Sequence, residues 1–381
     1  MGGTMKIEVE NNDILQSLRD FFRSLLEKKA IDAILVPQKL PMKNMVMPML
    51  VTDAKDLSHV DPLAPVFPLN AGRMAARLTK KPIGGKILVV LRTCELRAFI
   101  ELVKLKQART EEIILLGIDC LGAFQNRDYF ELVGDDPSET TRLFHESVLA
   151  GESGAIKGFE IAPACQTCEH PIPEQADILI GLYGVDTHHN LLVQANTQSG
   201  EDFLEGAHLS PAASPSRRKA VVDALLKDRK ARRDAMFANT RQQIDGIEKL
   251  TTYFANCVNC YNCRVACPVC YCRECVFSTD VFEHEPSQYL GWSKRKGMIK
   301  MPTDTVFYHL TRLAHMSTAC IGCGQCSNAC PNDIPVMEVF RTIAHRSQKA
   351  FGYEAGRSLD EKPPLSEFRE KEFEDIVGMG D

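Results

Sequence analysis

The chain has 381 residues, a formal net charge of −5, 44% hydrophobic residues and 25% charged residues. A charge this mild excludes a dedicated nucleic-acid binder, and the hydrophobic fraction excludes wholesale disorder. No stretch approaches the roughly 18 consecutive apolar residues of a membrane span, and the opening MGGTMKIEVE lacks the apolar core of a signal peptide, so no transmembrane segment and a cytoplasmic location are expected.

In chain order, Asn11, Asn12 and Asp13 offer caps for a helix within residues 11–30. Ile14, Leu15, Leu18, Phe21, Phe22, Leu25 and Leu26 recur at helical spacing along it. Ile31 to Val36 reads as a strand, and residues 37–72 as loops with short strands. Ile87 to Leu91 (ILVVL) is a buried strand after the Gly84-Gly85 turn; Glu95 to Ala108 is an amphipathic helix; Ile113 to Ile118 (IILLGI) is a second buried strand. Strand, helix and strand in about 30 residues make a βαβ unit and imply parallel pairing. Asp177 to Leu182 adds a further strand.

Residues 196–218 are rich in Ser, Gly, Pro and Ala and read as a linker. Arg217 to Arg233 is a helical stretch with eight Lys or Arg; a solvated face and a docking surface for an acidic partner subunit are both open readings. Helical periodicity returns at Val306, Phe307, Leu310, Leu313 and Ala314, and again from Val336 to Ala344. From Asp360 onward eight acidic residues stand against three basic ones, a composition that suits a tail wrapped on a neighbour or a disordered one. The expected division is an α/β domain with parallel strands over 1–210, a linker and basic helix over 211–250, an α-helical domain over 251–348 and an acidic tail over 349–381.

The abnormal feature is the 15 cysteines. In a reducing compartment they are poor disulfide candidates, and thiols at this density usually bind metal. Cys257, Cys260, Cys263 and Cys267-Pro268 form C-x2-C-x2-C-x3-C-P, and Cys320, Cys323, Cys326 and Cys330-Pro331 repeat it. Three thiolates at this spacing wrap three corners of a cuboidal [4Fe–4S] cluster, and the fourth, beside proline, ligates the other cluster of the pair. The expected sets are Cys257, Cys260, Cys263 with Cys330, and Cys320, Cys323, Cys326 with Cys267. A zinc site wants four thiolates at one tetrahedral point, usually as two separated pairs; two complete runs fit that poorly. The 52 residues between Cys267 and Cys320 exceed the gap of a compact bacterial ferredoxin. The arrangement resembles the alpha-helical two-cluster ferredoxin domains of multi-subunit redox enzymes. Tyr308, His309 and His315 read as packing residues beside the second run. Cys270, Cys272 and Cys275 stay open: spare thiols around the clusters, a zinc site completed by a residue such as His284, or a swapped ligand register.

Cys94 and Cys120 directly follow the strands ending at Leu91 and Ile118, beyond the carboxyl ends where open α/β sheets bind ligands. Cys165-x2-Cys168 precedes the strand Asp177 to Leu182. Four cysteines at strand ends, one pair spaced C-x2-C, point to a third [4Fe–4S] cluster.

The stretches LRTCELRAFIELVKLKQ, GIDCLG and CQTCEHPIPEQADILIGLYG resemble the beta-subunit family of coenzyme F420-reducing hydrogenases and F420-dependent formate dehydrogenases, over about residues 30–200. The resemblance implies that Cys94, Cys120, Cys165 and Cys168 hold one cluster and that the same domain binds FAD. No G-x-G-x-x-G follows a strand, which disfavours a Rossmann site. Lys43, Asn44, Asn70, Arg73, Arg92 and Thr93, polar or basic and near the strand-end crevice, are the candidate flavin contacts.

Clusters exchange single electrons and hydride carriers exchange two, so a flavin is the usual link. The expected protein is therefore an oxidoreductase: an iron–sulfur flavoprotein subunit passing electrons between a deazaflavin hydride carrier at FAD and three [4Fe–4S] clusters. By analogy its partners are a formate dehydrogenase or hydrogenase catalytic subunit, or a heterodisulfide-reductase-type flavoprotein. Two alternatives compete: a pure electron-relay subunit with clusters and no organic substrate, and a zinc-stabilised scaffold. No residues suggest a hydrolytic triad.

Overall fold

The computed structural model describes residues 3–41, 45–134, 136–207, 209–213, 215–272 and 274–367. Its strands are β1 (Thr4–Glu8), β2 (Ala33–Lys39), β3 (Val46–Val51), β4 (Ile87–Leu91), β5 (Ile113–Ile118), β6 (Ile178–Gly181), β7 (Asn190–Ala195) and β8 (Ser210–Pro211). They form one mixed sheet in the order β3-β2-β4-β5-β6-β7-β1-β8. β2, β4, β5 and β6 run parallel in its middle, flanked by antiparallel pairings at both sides.

The helices of the first half are α1 (Ile14–Glu27), α2 (Ala71–Leu78), α3 (Thr93–Lys104), α4 (Asn126–Leu132), α5 (Pro137–Leu149), α6 (Pro163–Gln166) and α7 (Gln198–Glu205). Those of the second are α8 (Arg218–Gln243), α9 (Ile247–Tyr253), α10 (Asn262–Ala266), α11 (Pro286–Lys296), α12 (Thr305–Met316), α13 (Gln325–Asn328) and α14 (Val336–Ala350).

The run ILVVL forms a central strand because both of its faces find apolar partners. Leu88 and Val90 join the core under α1, while Ile87, Val89 and Leu91 join the core under α2 and α3. A strand covered on both faces needs no polar alternation, which is why β4 and β5 are unbroken hydrophobic runs. Asp13 caps α1 by accepting from the Gln16 amide at 2.8 Å. A second core, built on Phe254, Tyr308, Val339 and Phe340, holds the helical half together and carries the cysteine-rich loops.

Three expectations are corrected. The stretch 196–218 is not wholly a linker. Thr197 accepts from the Gly200 amide at 3.1 Å and starts α7, whose Phe203 and Leu204 are buried; Ser210 and Pro211 then pair with β1. The basic stretch is not only a solvated face, because Arg218, Arg229 and Arg233 of α8 turn inward. The region from 349 is not loose from its start. After α14 the chain turns back, and Tyr353 and Ala355 pack against α3, with Arg97 donating to the Ala355 carbonyl at 2.6 Å. Of the acidic tail, 368–381 lie outside the described residues. Among the described residues, no helix is long and apolar enough to cross a membrane.

Candidate metal centres

Cys94 sits in the first turn of α3, immediately beyond β4. The turn that carries it is fixed by the Arg92 amide, which donates to the Glu95 carboxylate at 2.9 Å. Cys120 lies just beyond β5, its amide donating to the Pro171 carbonyl at 2.7 Å. Beside it the buried Asp119 carboxylate accepts from the Leu182 amide at 2.8 Å, the Tyr183 amide at 3.0 Å and the Arg218 guanidinium at 2.5 Å. One carboxylate thus ties the ends of β5 and β6 to the start of α8. Cys165 is on α6 and Cys168 follows it.

All four of these cysteines line one cavity of about 350 Å3 at the junction of the two halves, together with Cys320 and Cys323 of the helical half. Burial pushes the Cys165 thiol up to about 12, with the charges of Cys120 and Cys168 adding to it. Cys94 is raised further by burial and by Glu95, and Cys120 is raised by burial against the pull of Arg92. Bare thiols here stay protonated at neutral pH; a cation held among them reverses that preference and takes them as thiolates.

In the helical half, Cys257, Cys260, Cys263 and Cys330 line one small cavity, with Tyr308 and His309. The fourth residue of the second run has therefore crossed over to the first three of the other. Cys267 makes the reciprocal move: it faces Cys320, Cys323 and Cys326, all three raised by burial, while burial brings Cys267 itself up to about 11. The crossing is imposed by the paired prolines, since Pro268 and Pro331 cannot continue α10 or α13 and turn the preceding cysteine away. The three quartets form a row. The junction cavity joins the strand-end set to Cys320 and Cys323, and Cys263 of the outer set, which accepts from Arg312 at 3.1 Å, is four residues before Cys267 of the middle one.

The two halves are locked at this row. Gln325 donates to the Phe67 carbonyl at 2.7 Å, the Asn126 amide to Asn328 at 2.8 Å, and Arg341 to Thr167 Oγ1 at 2.6 Å and to the Glu169 carboxylate. Gly324 has φ +78°, and a Cβ there would stand 2.5 Å from the Cβ of Ala164. Only glycine lets the second cysteine loop lie this close to α6.

Tyr308 and His309 are buried, and both reach sulfur. Tyr308 Oη is 3.4 Å from Cys263 Sγ and His309 Nε2 is 3.4 Å from Cys257 Sγ, with the imidazole stacked on Phe254 at 3.8 Å. Burial pushes His309 down to about 3, so the ring is neutral. They are packing residues that also touch the cysteine cage.

Of the spare cysteines, Cys270 and Cys275 pack on the helical core and Cys272 is exposed. His284 lies edge-on to Tyr289 and Trp292 at 5.6 and 5.0 Å. Among the described residues, no three His, Cys, Asp or Glu side chains close on a single-ion point. The quartets fit a cuboidal cluster better than zinc, since each thiolate then takes its own iron and the four stand apart.

The candidate flavin contacts are not gathered in one cavity: Asn70 and Arg73 line one and Arg92 another. Lys43 and Asn44 lie outside the described residues. Asn70 caps α2, accepting from the Gly72 amide at 3.0 Å, and Arg73 donates to the Val265 carbonyl at 2.6 Å across to α10. The Arg92 guanidinium donates to the Ala64 carbonyl and, at 2.9 Å, to the Val66 carbonyl, lying 5.1 Å from the Phe67 ring centre. Within this set, Asn70 Nδ2 and Thr93 Oγ1 are buried atoms without a hydrogen-bond partner. The junction cavity has what the set lacks, several cations lining one opening: Lys230, Arg233, Lys349 and Arg357. These residues come from α8, α14 and the segment after it, and no motif marks them in the sequence.

Residues 84–212 match the family model for the C terminus of the coenzyme F420 hydrogenase/dehydrogenase beta subunit, and residues 315–336 match that of a 4Fe–4S binding domain. The chain is 26% identical to the F420-dependent formate dehydrogenase subunit beta of Methanocaldococcus jannaschii, over 94% of this chain and 97% of that protein. It is also 26% identical to the F420-dependent formate dehydrogenase 1 subunit beta of Methanococcus maripaludis, over 90% of each. Among solved structures, a chain of the xenon-derivatised F420-reducing [NiFe] hydrogenase complex of Methanosarcina barkeri superposes with a TM-score of 0.45 at 14% identity, covering 65% of this chain and 95% of that one.

Proposed function

We propose that this chain, whose residues 84–212 match the coenzyme F420 hydrogenase/dehydrogenase beta-subunit model and whose residues 315–336 match a 4Fe–4S binding domain, is a member of that beta-subunit family and the electron-input subunit of a multi-subunit oxidoreductase. It takes electrons from, or returns them to, a deazaflavin hydride carrier and conducts them along three [4Fe–4S] clusters to a partner subunit. The formate dehydrogenase relatives favour a formate dehydrogenase partner, with hydrogenase and heterodisulfide-reductase-type partners as further members of the same class.

The observation that carries this reading is the row of quartets. Cys94, Cys120, Cys165 and Cys168 stand at the sheet end; Cys267, Cys320, Cys323 and Cys326 are next; Cys257, Cys260, Cys263 and Cys330 are outermost, where Cys260 is exposed. Such a row gives single electrons a path from the α/β half to the surface of the helical half. FAD, when bound, would supply the exchange between two-electron hydride chemistry and one-electron clusters. Its anionic diphosphate suits the junction cavity, where Lys230 and Lys349 stand beside Arg233, paired with Glu169 and Asp234, and Arg357, paired with Glu361. His170, lining the same cavity, is pushed down to about 3 by burial and then by Arg97, so it contributes a neutral polar wall.

The test is made on chain purified anaerobically with its partner. Acid-extracted flavin near one per chain is expected. Reduced deazaflavin, but not reduced nicotinamide, should bleach the iron–sulfur absorbance. Clusters without flavin, or bleaching by neither donor, would leave a pure relay subunit in place of this reading.

A further inference from the structure

Four arginines are buried as deeply as the apolar core: Arg97, Arg229, Arg312 and Arg341, each at most 7% exposed. Arg97 is paired with Glu354 and Arg341 with Glu169. Among the described residues, Arg229 and Arg312 have no carboxylate within ion-pair distance. A buried guanidinium without an anion is strongly disfavoured, so each must answer to some other negative charge.

Arg312 faces sulfur, and Arg229 lies among three cysteines beside the Tyr183 hydroxyl. Arg312, on α12, donates from one terminal nitrogen to Cys263 Sγ at 3.1 Å and from the other to the Cys263 carbonyl at 3.1 Å. It lies 4.6 Å from the Phe340 ring centre and 5.5 Å from that of Tyr308, so its position is fixed by packing on both sides. Cys263 stands four residues before Cys267 of the neighbouring quartet, so Arg312 sits where the two sets adjoin along the chain. Arg229 projects from α8 into the junction cavity beside Cys120, Cys165 and Cys168. A neutral thiol cannot balance a guanidinium. A cluster held by four thiolates can, because it is anionic when oxidised and more so when reduced.

We propose that Arg312 and Arg229 are the built-in counter-charges of the iron–sulfur row, raising the reduction potential of the centres they face. Arg312 acts on the helical-domain pair and Arg229 on the strand-end centre. The inference rests on the three-cluster reading above. Reduction adds an electron to a centre beside a fixed cation and, for Arg312, beside an N–H···S hydrogen bond; both favour the reduced form. Neither arginine needs to move or exchange a proton.

The experiment is an anaerobic redox titration followed by electron paramagnetic resonance on the full chain. Iron is assayed on the same samples, and the strand-end signal is identified by its loss in Cys94→Ser. Arg312→Gln should shift a helical-domain midpoint to more negative potential by about tenfold in the reduction equilibrium, 59 mV for one electron, and leave the strand-end midpoint in place. Arg229→Gln should do the reverse. Arg312→Lys, which keeps the charge and loses the fork, should stay nearer to wild type than Arg312→Gln. Variants with wild-type iron and unmoved midpoints, or with all three centres shifted alike, would overturn the proposal. So would failure of both Arg312→Gln and Arg312→Lys to load iron, which would assign Arg312 a packing role. Wild-type chain without cluster iron would instead bring down the cluster reading, and this inference with it.

Discussion

The segment after α14 reads in the sequence as the start of an acidic tail, yet it docks on α3, and two substitutions test that docking. Glu101 and Lys104 of α3 form an ion pair at 2.7 Å with side chains 1% and 3% exposed. Tyr353 Oη donates to the Glu101 carboxylate at 2.7 and 2.9 Å, and the Gly356 amide donates to it at 2.6 Å. Lys104 lies 4.5 Å from the Tyr353 ring centre. Glu101→Gln leaves the Lys104 ammonium buried without its anion, a loss of about 3–5 kcal/mol. Tyr353→Phe removes the hydroxyl that donates to Glu101 and accepts from Lys104 at 2.5 Å; Lys104 keeps Glu101, so the loss is that of one hydrogen bond to a charged group, about 1.5–3 kcal/mol. With about 2.1 cal/mol/K of unfolding entropy per residue, 381 residues give about 0.8 kcal/mol/K. The expected drops in apparent Tm are therefore about 4–6 °C for Glu101→Gln and about 2–4 °C for Tyr353→Phe. They are read by far-ultraviolet circular dichroism under anaerobic conditions at one fixed scan rate, because cluster loss makes the midpoint rate-dependent. If both variants melt within about 1 °C of wild type, or if Tyr353→Phe is the more damaging, the segment does not dock on α3 as argued.

Three further outcomes follow from the same structure. Cys94→Ser or Cys120→Ser should each lower the iron content by about four per chain, the content of one cluster, while serine at Cys270, Cys272 and Cys275 together leaves it unchanged. Gly324→Ala forces a Cβ to 2.5 Å from Ala164 and should cost about 1–3 kcal/mol in the melting scan, whereas Gly291→Ala on α11, where nothing lies within 4 Å, should cost nothing. His145 is pushed down to about 4, chiefly by burial. The unfolded chain therefore takes up a proton below about 6.5 that the folded chain refuses, and acidification favours unfolding. At pH 5 the contribution is about 2 kcal/mol, and His145→Leu should flatten the fall in Tm between pH 7 and pH 5 by about 2–3 °C.

The sequence reveals those parts of the fold that depend on local pattern. Ile87 to Leu91 and Ile113 to Ile118 are strands with the boundaries their apolar runs suggest, because a strand buried on both faces has no other composition available. β1 and β7 are hidden. Most of β1 is only partly buried, and its pairing with β7, distant along the chain, depends on the sheet already being present. The proposed cysteine quartets follow from the two C-P runs and the strand-end positions, since spacing and proline chemistry are local. The cations are the opposite case. Arg229 is one of eight basic residues between Arg217 and Arg233, and nothing in the spacing tells it from those that face water. Arg312 has no motif at all; only the absence of a carboxylate around it singles it out, and that is a property of packing. The flavin candidates are not gathered in one cavity for the same reason: Arg73 and Arg92 lie near the crevice in sequence order, yet packing has already given them carbonyl partners.

The central claim is that the 15 cysteines include three complete cluster sites arranged in a row. Iron and acid-labile sulfide measured together on one anaerobically purified sample test it most directly. The account predicts about 12 iron and about 12 sulfide per chain, four of each per cluster. About 8 of each would remove the strand-end centre and the link it provides to a hydride donor, and zinc without iron would contradict the account outright.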